Sequence, residues 1–404
     1  MLSGENIVCF APDPWGDIWR NRHRLLSIFA RSNKVVYVEP RTTARLLVRK
    51  LAAGDPSVLR PWRRRVEEVR ENLFVYHDPV HLPRTSKGIA GRLVDRLRDA
   101  SLKRALRELG ISRPILWLVR PDCHDVPGKL DEKLLLYQVV DDYLSYAGVT
   151  ARARERLDRE ERSIGARADL VVVTAEHLLD IKRHLSPSCI HVRNGVDAQT
   201  IEEGRRVGGA LAPDLAKASR PIFGYIGGVT EKLDFELLLD LAARLESSGG
   251  TLALVGPVHV KSRESADAVQ RLRGSKAVTL VGQRPAGDMP MFLRAFDVGL
   301  IPYKLGDQAR SIDPLKLYEY LAFGKPVAAV DIPSLRAFRS LVGVASSREG
   351  FLELAIALAK EDDEALALRR REAAAENTWE RRAEQISQAI EGALRMKARP
   401  VIAT

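Results

Sequence analysis

The stretch "SIDPLKLYEYLAFGKPVAAV" (Ser311 to Val330) carries a lysine and a glutamate, Lys316 and Glu319, three residues apart. That spacing puts both on one face of a helix. Pro314 reads as the first helical residue with Asp313 as its cap, so Lys316 falls in the first turn. The free backbone N–H groups and the helix dipole already favour an anion there, and a lysine is electrostatically misplaced unless something negative comes to it. Glu319 lies one turn deeper and only accepts hydrogen bonds when ionised, the chemistry that fixes a pair of ribose hydroxyls. A plain i,i+3 ion pair, worth ~0.2–0.5 kcal/mol, is the competing reading.

Four other stretches hold residues that could do chemistry. "GYIGGVTEK" ends on Gly227 and Gly228, which let backbone N–H groups approach a phosphate while Lys232 adds charge; a tight turn alone also explains them. The motif is not G-x-G-x-x-G, which weakens an NAD reading. Gln283 in "VGQRP" has the donor and acceptor needed to read a nucleobase edge, or it faces water. "VVDDYLSY" sets Asp141 and Asp142 just beyond an apolar strand, where each carboxylate raises the pKa of the other and suits one of them to act as a general base. The alternative is a helix cap and a surface carboxylate. "PDPWGDIWRNRHR" offers Trp15, Asp17, Arg20, Arg22 and His23 either to a cleft or to the packing of a helix start. "PDCHD" around His124 crowds its ligands together without a partner cluster, which argues against a metal.

The elements that must position these residues form two arrays. From Asn6 short apolar runs ("NIVCF", "KVVYVEP", "NLFVYHDP", "PILWLV", "LLLYQVV", "DLVVVT", "CIHV") alternate with helix-like segments such as 20–31, 89–109 and 151–168. Apolar strands alternating with helices predict a parallel sheet covered on both faces. After "RNGVD" a Gly-, Ala- and Pro-bearing connector leads to a second array: "PIFGYIGG", "TLALVG", "VTLVGQ", "VGLIPY" and "PVAAVDIP", separated by helices. The expected fold is α/β, two tandem Rossmann-like doubly wound domains facing across a cleft. Residues 1–200 are the expected acceptor domain, 201–220 a linker, 221–376 the donor domain, and 377–404 a final helix with Asn377 as its cap. Ligands of such sheets sit beyond the carboxyl ends of the strands. The loop from "IPY" to Asp313 is longer than an ordinary strand-to-helix connection and so marks a functional candidate.

Composition narrows the partners. The charge of +11, from 64 Lys and Arg against 53 Asp and Glu, is concentrated in "RTTARLLVRKLAAGDPSVLRPWRRRVEEVR" (Arg41 to Arg70). No finger spacing or aromatic-basic pattern supports nucleic acid. Leu46, Leu47, Val48, Leu51, Leu59 and Trp62 interleave with the arginines as in segments that lie on an anionic bilayer, although a solvated basic face gives the same pattern. No long uncharged apolar run or basic leader appears, so a cytoplasmic protein, peripheral at the inner membrane face, is expected. Cys9, Cys123 and Cys189 are scattered and odd in number, which fits reduced thiols.

Taken in order, "RNGVD", "GYIGG", "DVGLIPY", "PLKLYEYLAFGKPV" and "TWERRAEQI" resemble bacterial GT-B glycosyltransferases, and more narrowly those of extracellular polysaccharide assembly, including xanthan-type glucuronosyltransferases. The ordered set spans roughly residues 190 to 395; the first domain matches in layout and in "YQVVDDY". The resemblance implies a nucleotide-diphosphate sugar donor, UDP-linked, and a glycan or lipid-linked hydroxyl acceptor. It places Lys316 on the diphosphate, Glu319 on the ribose, Tyr303 and Gln283 around the nucleotide, Gly227 and Gly228 near the phosphates, and Ser311 and Asp313 in the same loop. It implies no cofactor and no metal, because helix ends and basic side chains carry the diphosphate charge. Two departures point away from a retaining mechanism: Ser311 stands where the retaining family has a glutamate, and Gly228 lies near the place of its phosphate-loop arginine. A nucleotide-sugar epimerase on the same fold and a non-catalytic assembly protein are the competing classes.

Overall fold

A computed structural model describes residues 1–16, 19–41, 43–52, 54, 65–79, 82, 88–146, 148–206, 208–361 and 363–398. The first domain is built on strands β1 (Asn6–Phe10), β2 (Lys34–Val38), β3 (Val66–Arg70), β4 (Leu73–Tyr76), β5 (Ile115–Leu118), β6 (Leu134–Val139), β7 (Leu170–Val173) and β8 (Cys189–His191). Between them run helices α1 (Asn21–Phe29), α2 (Ala44–Ala52), α3 (Ile89–Glu108), α4 (Ala151–Gly165) and α5 (Glu176–Lys182). The strands form one sheet in the order β3-β4-β2-β1-β5-β6-β7-β8.

After α6 (Ala198–Arg205), the second domain places β9 (Ile222–Ile226), β10 (Thr251–Val255), β11 (Val278–Gly282), β12 (Val298–Ile301), β13 (Val327–Val330) and β14 (Gly343–Ala345) in the order β11-β10-β9-β12-β13-β14. Its helices are α7 (Phe235–Ser248), α8 (Arg263–Gly274), α9 (Met289–Ala295), α10 (Asp307–Arg310), α11 (Leu315–Ala322), α12 (Arg348–Leu358) and α13 (Glu364–Glu376), and α14 (Trp379–Ala398) ends the described chain.

The strands are apolar on both faces because both faces are covered. Along β1, Ile7 and Cys9 enter one core and Val8 and Phe10 the other. Side-chain alternation in a strand buried on two sides requires this continuous apolar run. Helix starts follow local chemistry: Thr150, Asp234, Ser262, Ser347 and Asp363 each accept from the backbone N–H three residues on.

Three features depart from expectation. Strand β3 is antiparallel to β4, so the first sheet has one reversed edge. Its "VEEVR" sequence lay hidden in the basic stretch because an edge strand with one wet face needs few apolar residues. Strand β14 and helices α12 and α13 were not anticipated. The final helix is capped by Thr378, whose hydroxyl accepts from the Arg381 N–H at 3.3 Å; the Asn377 carboxamide oxygen accepts instead from Arg382.

Helix α14 packs on α1 and β7, and it lends Trp379, Ile386 and Ile390 to the core of the first domain. The chain therefore crosses between domains twice, and the crossings lie side by side. The Val196 N–H donates to the Asn377 carbonyl and the Trp379 N–H to the Val196 carbonyl, both at 3.0 Å. A side chain at Gly195 would meet the Asn377 carbonyl at 2.8 Å, which explains a glycine there.

Candidate functional site

Lys316 sits on the first turn of α11, beneath the strand-end loop of β9. It is buried, with 8% exposure. Its ammonium lies 4.7 Å from the Tyr225 ring centre and 4.8 Å from that of Tyr303, and donates to the Tyr303 hydroxyl at 2.5 Å. Burial pushes both phenols up to about 12, so neither supplies a negative charge. Among the described residues no carboxylate forms an ion pair with Lys316. The ammonium is thus desolvated at a helix N-terminus and softened only by two ring faces and a neutral hydroxyl.

The loop above it is held by close packing. Gly227 has φ +136° and Gly256 φ +144°, and a side chain on Gly256 would run into the Gly227 carbonyl. The Gly227 N–H is already donated to the Val255 carbonyl at 2.9 Å, and the Gly228 carbonyl accepts from Tyr225 at 3.1 Å. The tight turn thus explains Gly227 by itself. Lys232 reaches across the cleft, its Nζ 3.9 Å from Asp141 Oδ1.

Glu319 makes no ion pair with Lys316 among the described residues and is only partly exposed. It lines a pocket between the domains together with Trp19, Arg24, Asp197, Leu315 and Trp379. Burial raises its carboxyl to about 7 against the pull of the Arg24 and Lys316 charges, so near neutral pH it can donate as well as accept.

Asp313 does something other than capping α11, whose N-cap is Pro314 with no side-chain cap bond. Its carboxylate accepts from the Asn194 N–H at 2.6 Å and from the Tyr318 hydroxyl at 3.0 Å. The Asn194 carboxamide returns a bond to the Asp313 carbonyl at 2.7 Å, and Arg382 Nε donates to the Asn194 carbonyl at 3.0 Å. Burial still holds this carboxyl above its ordinary value. Asp313 thereby ties the long loop to both domain crossings. Nothing in a one-dimensional pattern pairs it with a residue 119 positions away.

The two adjacent aspartates separate by role. Asp142 is bound by the Lys182 ammonium at 3.2 Å, which also binds Glu161 at 2.7 Å; Glu161 in turn accepts from the Tyr137 hydroxyl at 3.0 Å. Asp141 turns to the cleft, accepting from the Tyr146 hydroxyl at 2.7 Å and facing Lys232. Tyr225, Tyr146, Asn194 and Arg382 were all missed, although each stands inside a motif singled out: "GYIGGVTEK", "VVDDYLSY", "RNGVD" and "TWERRAEQI".

The structure places the remaining candidates as follows. Tyr303 is 4% exposed and its hydroxyl accepts from Lys316, so it braces the cation. Trp15, His23 and Tyr37 pack as one aromatic cluster with Trp19. His23 is fully buried, its Nδ1 accepting from the Arg20 N–H at 3.1 Å, and Arg22 is buried against Asp13. These three residues build the helix start; of the group, Arg20 alone lines the inter-domain pocket, while Asp17 lies outside the described residues. Gln283 is exposed just beyond the carboxyl end of β11, the edge strand of the second sheet, with β10 and β9 between that strand and β12. Ser311 is 1% exposed and its hydroxyl is buried without a hydrogen-bond partner.

In the basic stretch three described arginines are engaged internally, Arg41 with Asp125 at 2.9 Å, Arg65 on the Ser101 hydroxyl, and Arg70 over the Trp19 ring at 5.1 Å, while Arg49 is exposed. Leu59, Arg60, Trp62, Arg63 and Arg64 lie outside the described residues. No described helix is long and apolar enough to cross a membrane, and the described residues contain no group of three or more His, Cys, Asp or Glu arranged to hold a metal.

Comparison with known proteins agrees with this geometry. Residues 220–369 match the family "Glycosyl transferases group 1". A putative teichuronic acid biosynthesis glycosyltransferase, TuaH of Bacillus subtilis (strain 168), is 30% identical over 188 residues, a match spanning 45% of this chain and 45% of that protein's length. Among solved structures, sucrose-phosphate synthase from Thermosynechococcus elongatus superposes with a TM-score of 0.66 at 17% identity, over 97% of this chain and 100% of the other. Anabaena HepE in complex with UDP and glucose gives 0.63 at 14% identity, over 96% and 99%. The chain has the fold of the GT-B glycosyltransferases, and its match to the group 1 family lies within the second domain.

Proposed function

We propose that the protein transfers a sugar from a UDP-linked donor to a hydroxyl of a glycan or lipid-linked acceptor. The observation that carries this reading is Lys316: a buried ammonium that has no carboxylate partner among the described residues, on a helix N-terminus, in the domain whose Lys232 faces Asp141 across the cleft. The donor diphosphate completes that site. Lys316, Lys232 and the first-turn N–H groups of α11 hold the charge that builds on the leaving UDP.

Asp141 takes the proton of the attacking hydroxyl as the new glycosidic bond forms and the bond from the anomeric carbon to the diphosphate breaks. Asp142 is unsuited to that task because Lys182 already occupies its carboxylate. A single displacement fits a chain with serine at position 311, and it inverts the anomeric centre. Calorimetric titration of UDP tests the donor half of the reading, since wild type should bind and Lys316→Ala should bind ~10–100-fold more weakly. Unchanged affinity would remove it. The anomeric configuration of the product, read by NMR, tests the acceptor half.

A further inference from the structure

The surface most unlike ordinary solvated protein lies on α3, in a part of the chain with no assigned role. Ile89, Leu93 and Leu97 are 79%, 57% and 48% exposed. At i, i+4 and i+8 they form a single stripe along the helix. Arg92 and Arg96, also exposed, run beside it. The same face continues through Ala100 to Lys103, Arg104 and Arg107; the one exposed carboxylate among the described residues of the helix, Glu108, stands at its far end and pairs with Arg104 at 2.8 Å. Soluble helix faces mix both signs and seldom leave three large apolar side chains in water.

We propose that this face docks the protein on an anionic bilayer. Apolar side chains that enter the headgroup region beside arginines that meet lipid phosphates are what an interfacial helix requires. The apolar stripe disfavours a nucleic acid, which would be met by cations alone. Helix α2 likewise exposes Val48 and Leu51, 65% and 57%, beside exposed Arg49. Both helices follow parallel strands, β2 and β4, and so begin at the end of the sheet that carries Asp141. That is the end of the sheet from which a lipid-held acceptor would approach Asp141. Ion pairing of Arg98 with Asp78 at 2.6 Å anchors α3 to the segment after β4, so the face is presented rigidly.

Cosedimentation of the full chain with phosphatidylglycerol/phosphatidylcholine vesicles, against phosphatidylcholine alone, tests the proposal. Binding should require the anionic lipid, weaken with salt, and fall ~10-fold or more in Leu93→Ser/Leu97→Ser and in Arg92→Glu/Arg96→Glu. UDP titration of the same variants should match wild type, which separates failure of this inference from failure of the donor-site reading. Wild-type binding equal on both vesicles, or unchanged in both variants, overturns it. So does loss in these variants of a concentration-dependent dimer seen by light scattering, or of RNA binding in place of vesicle binding; either would assign the face to a second copy or to a nucleic acid.

Discussion

Each domain buries one lysine near the cleft, and the two are treated in opposite ways. Lys182 in the first domain, 4% exposed, has two carboxylates, Glu161 and Asp142, within 3.2 Å. Lys316 in the second is nearly as buried and has none, only tyrosine hydroxyl and ring faces. The first charge is satisfied by the fold, and removing it strands its partners. The second costs the folded protein energy until an anion arrives. A buried cation is thus informative about ligands only after its counter-charges have been counted.

The contrast extends to the neighbouring aspartates, and the largest expected effect lies there. Asp141→Asn should lower transfer by ~10²–10⁴-fold, as loss of a general base does, with UDP affinity retained. Asp142→Asn should act mainly on stability. Initial rates measured beside UDP titration separate the two, and equal rate losses would break the division of roles. Next in size, Lys182→Met should destabilise by about 3–5 kcal/mol in urea unfolding because it leaves Glu161 and Asp142 buried and unpaired. Lys316→Met should leave stability unchanged or improved. If both variants lose the same stability, the two lysines are not different in kind.

The ~10–100-fold loss of UDP affinity in Lys316→Ala comes third. The smallest effect concerns Glu319. Its carboxyl keeps its proton to about 7 when folded, against 4.5 ordinarily, so the folded state binds protons more tightly. The stabilisation is present below the unfolded value and is lost as pH rises through 7. Melting temperatures should show this fall between pH 5 and pH 8 in wild type and a shallower one in Glu319→Gln. Parallel curves would mean that Glu319 titrates normally.

The strands of both sheets could be read directly because burial on two faces leaves an uninterrupted apolar run. β3 and β14 could not: one is a half-charged edge strand and the other only three residues long. The unusual setting of Lys316 was visible because a lysine in a first turn is wrong by local rules alone. The role of Asp313 was not, since its partners Asn194 and Arg382 are close only after the chain has crossed between domains twice. The division between Asp141 and Asp142 depends likewise on Lys182, 40 residues away. The spacing of four between Trp15, Trp19 and His23 did hold a signal for packing, which the attraction of a cleft-lining tryptophan obscured.

The return of α14 has a consequence for how the protein is made. One face of the first sheet is closed in part by Trp379, Ile386 and Ile390, which are synthesised only after the whole second domain. At ~5–20 residues per second that interval lasts roughly 10–40 s. Throughout it the first domain carries an open apolar seam while the second can already fold. The domain that begins first is therefore the last to close, and the nascent chain is most exposed to aggregation on that domain's open face.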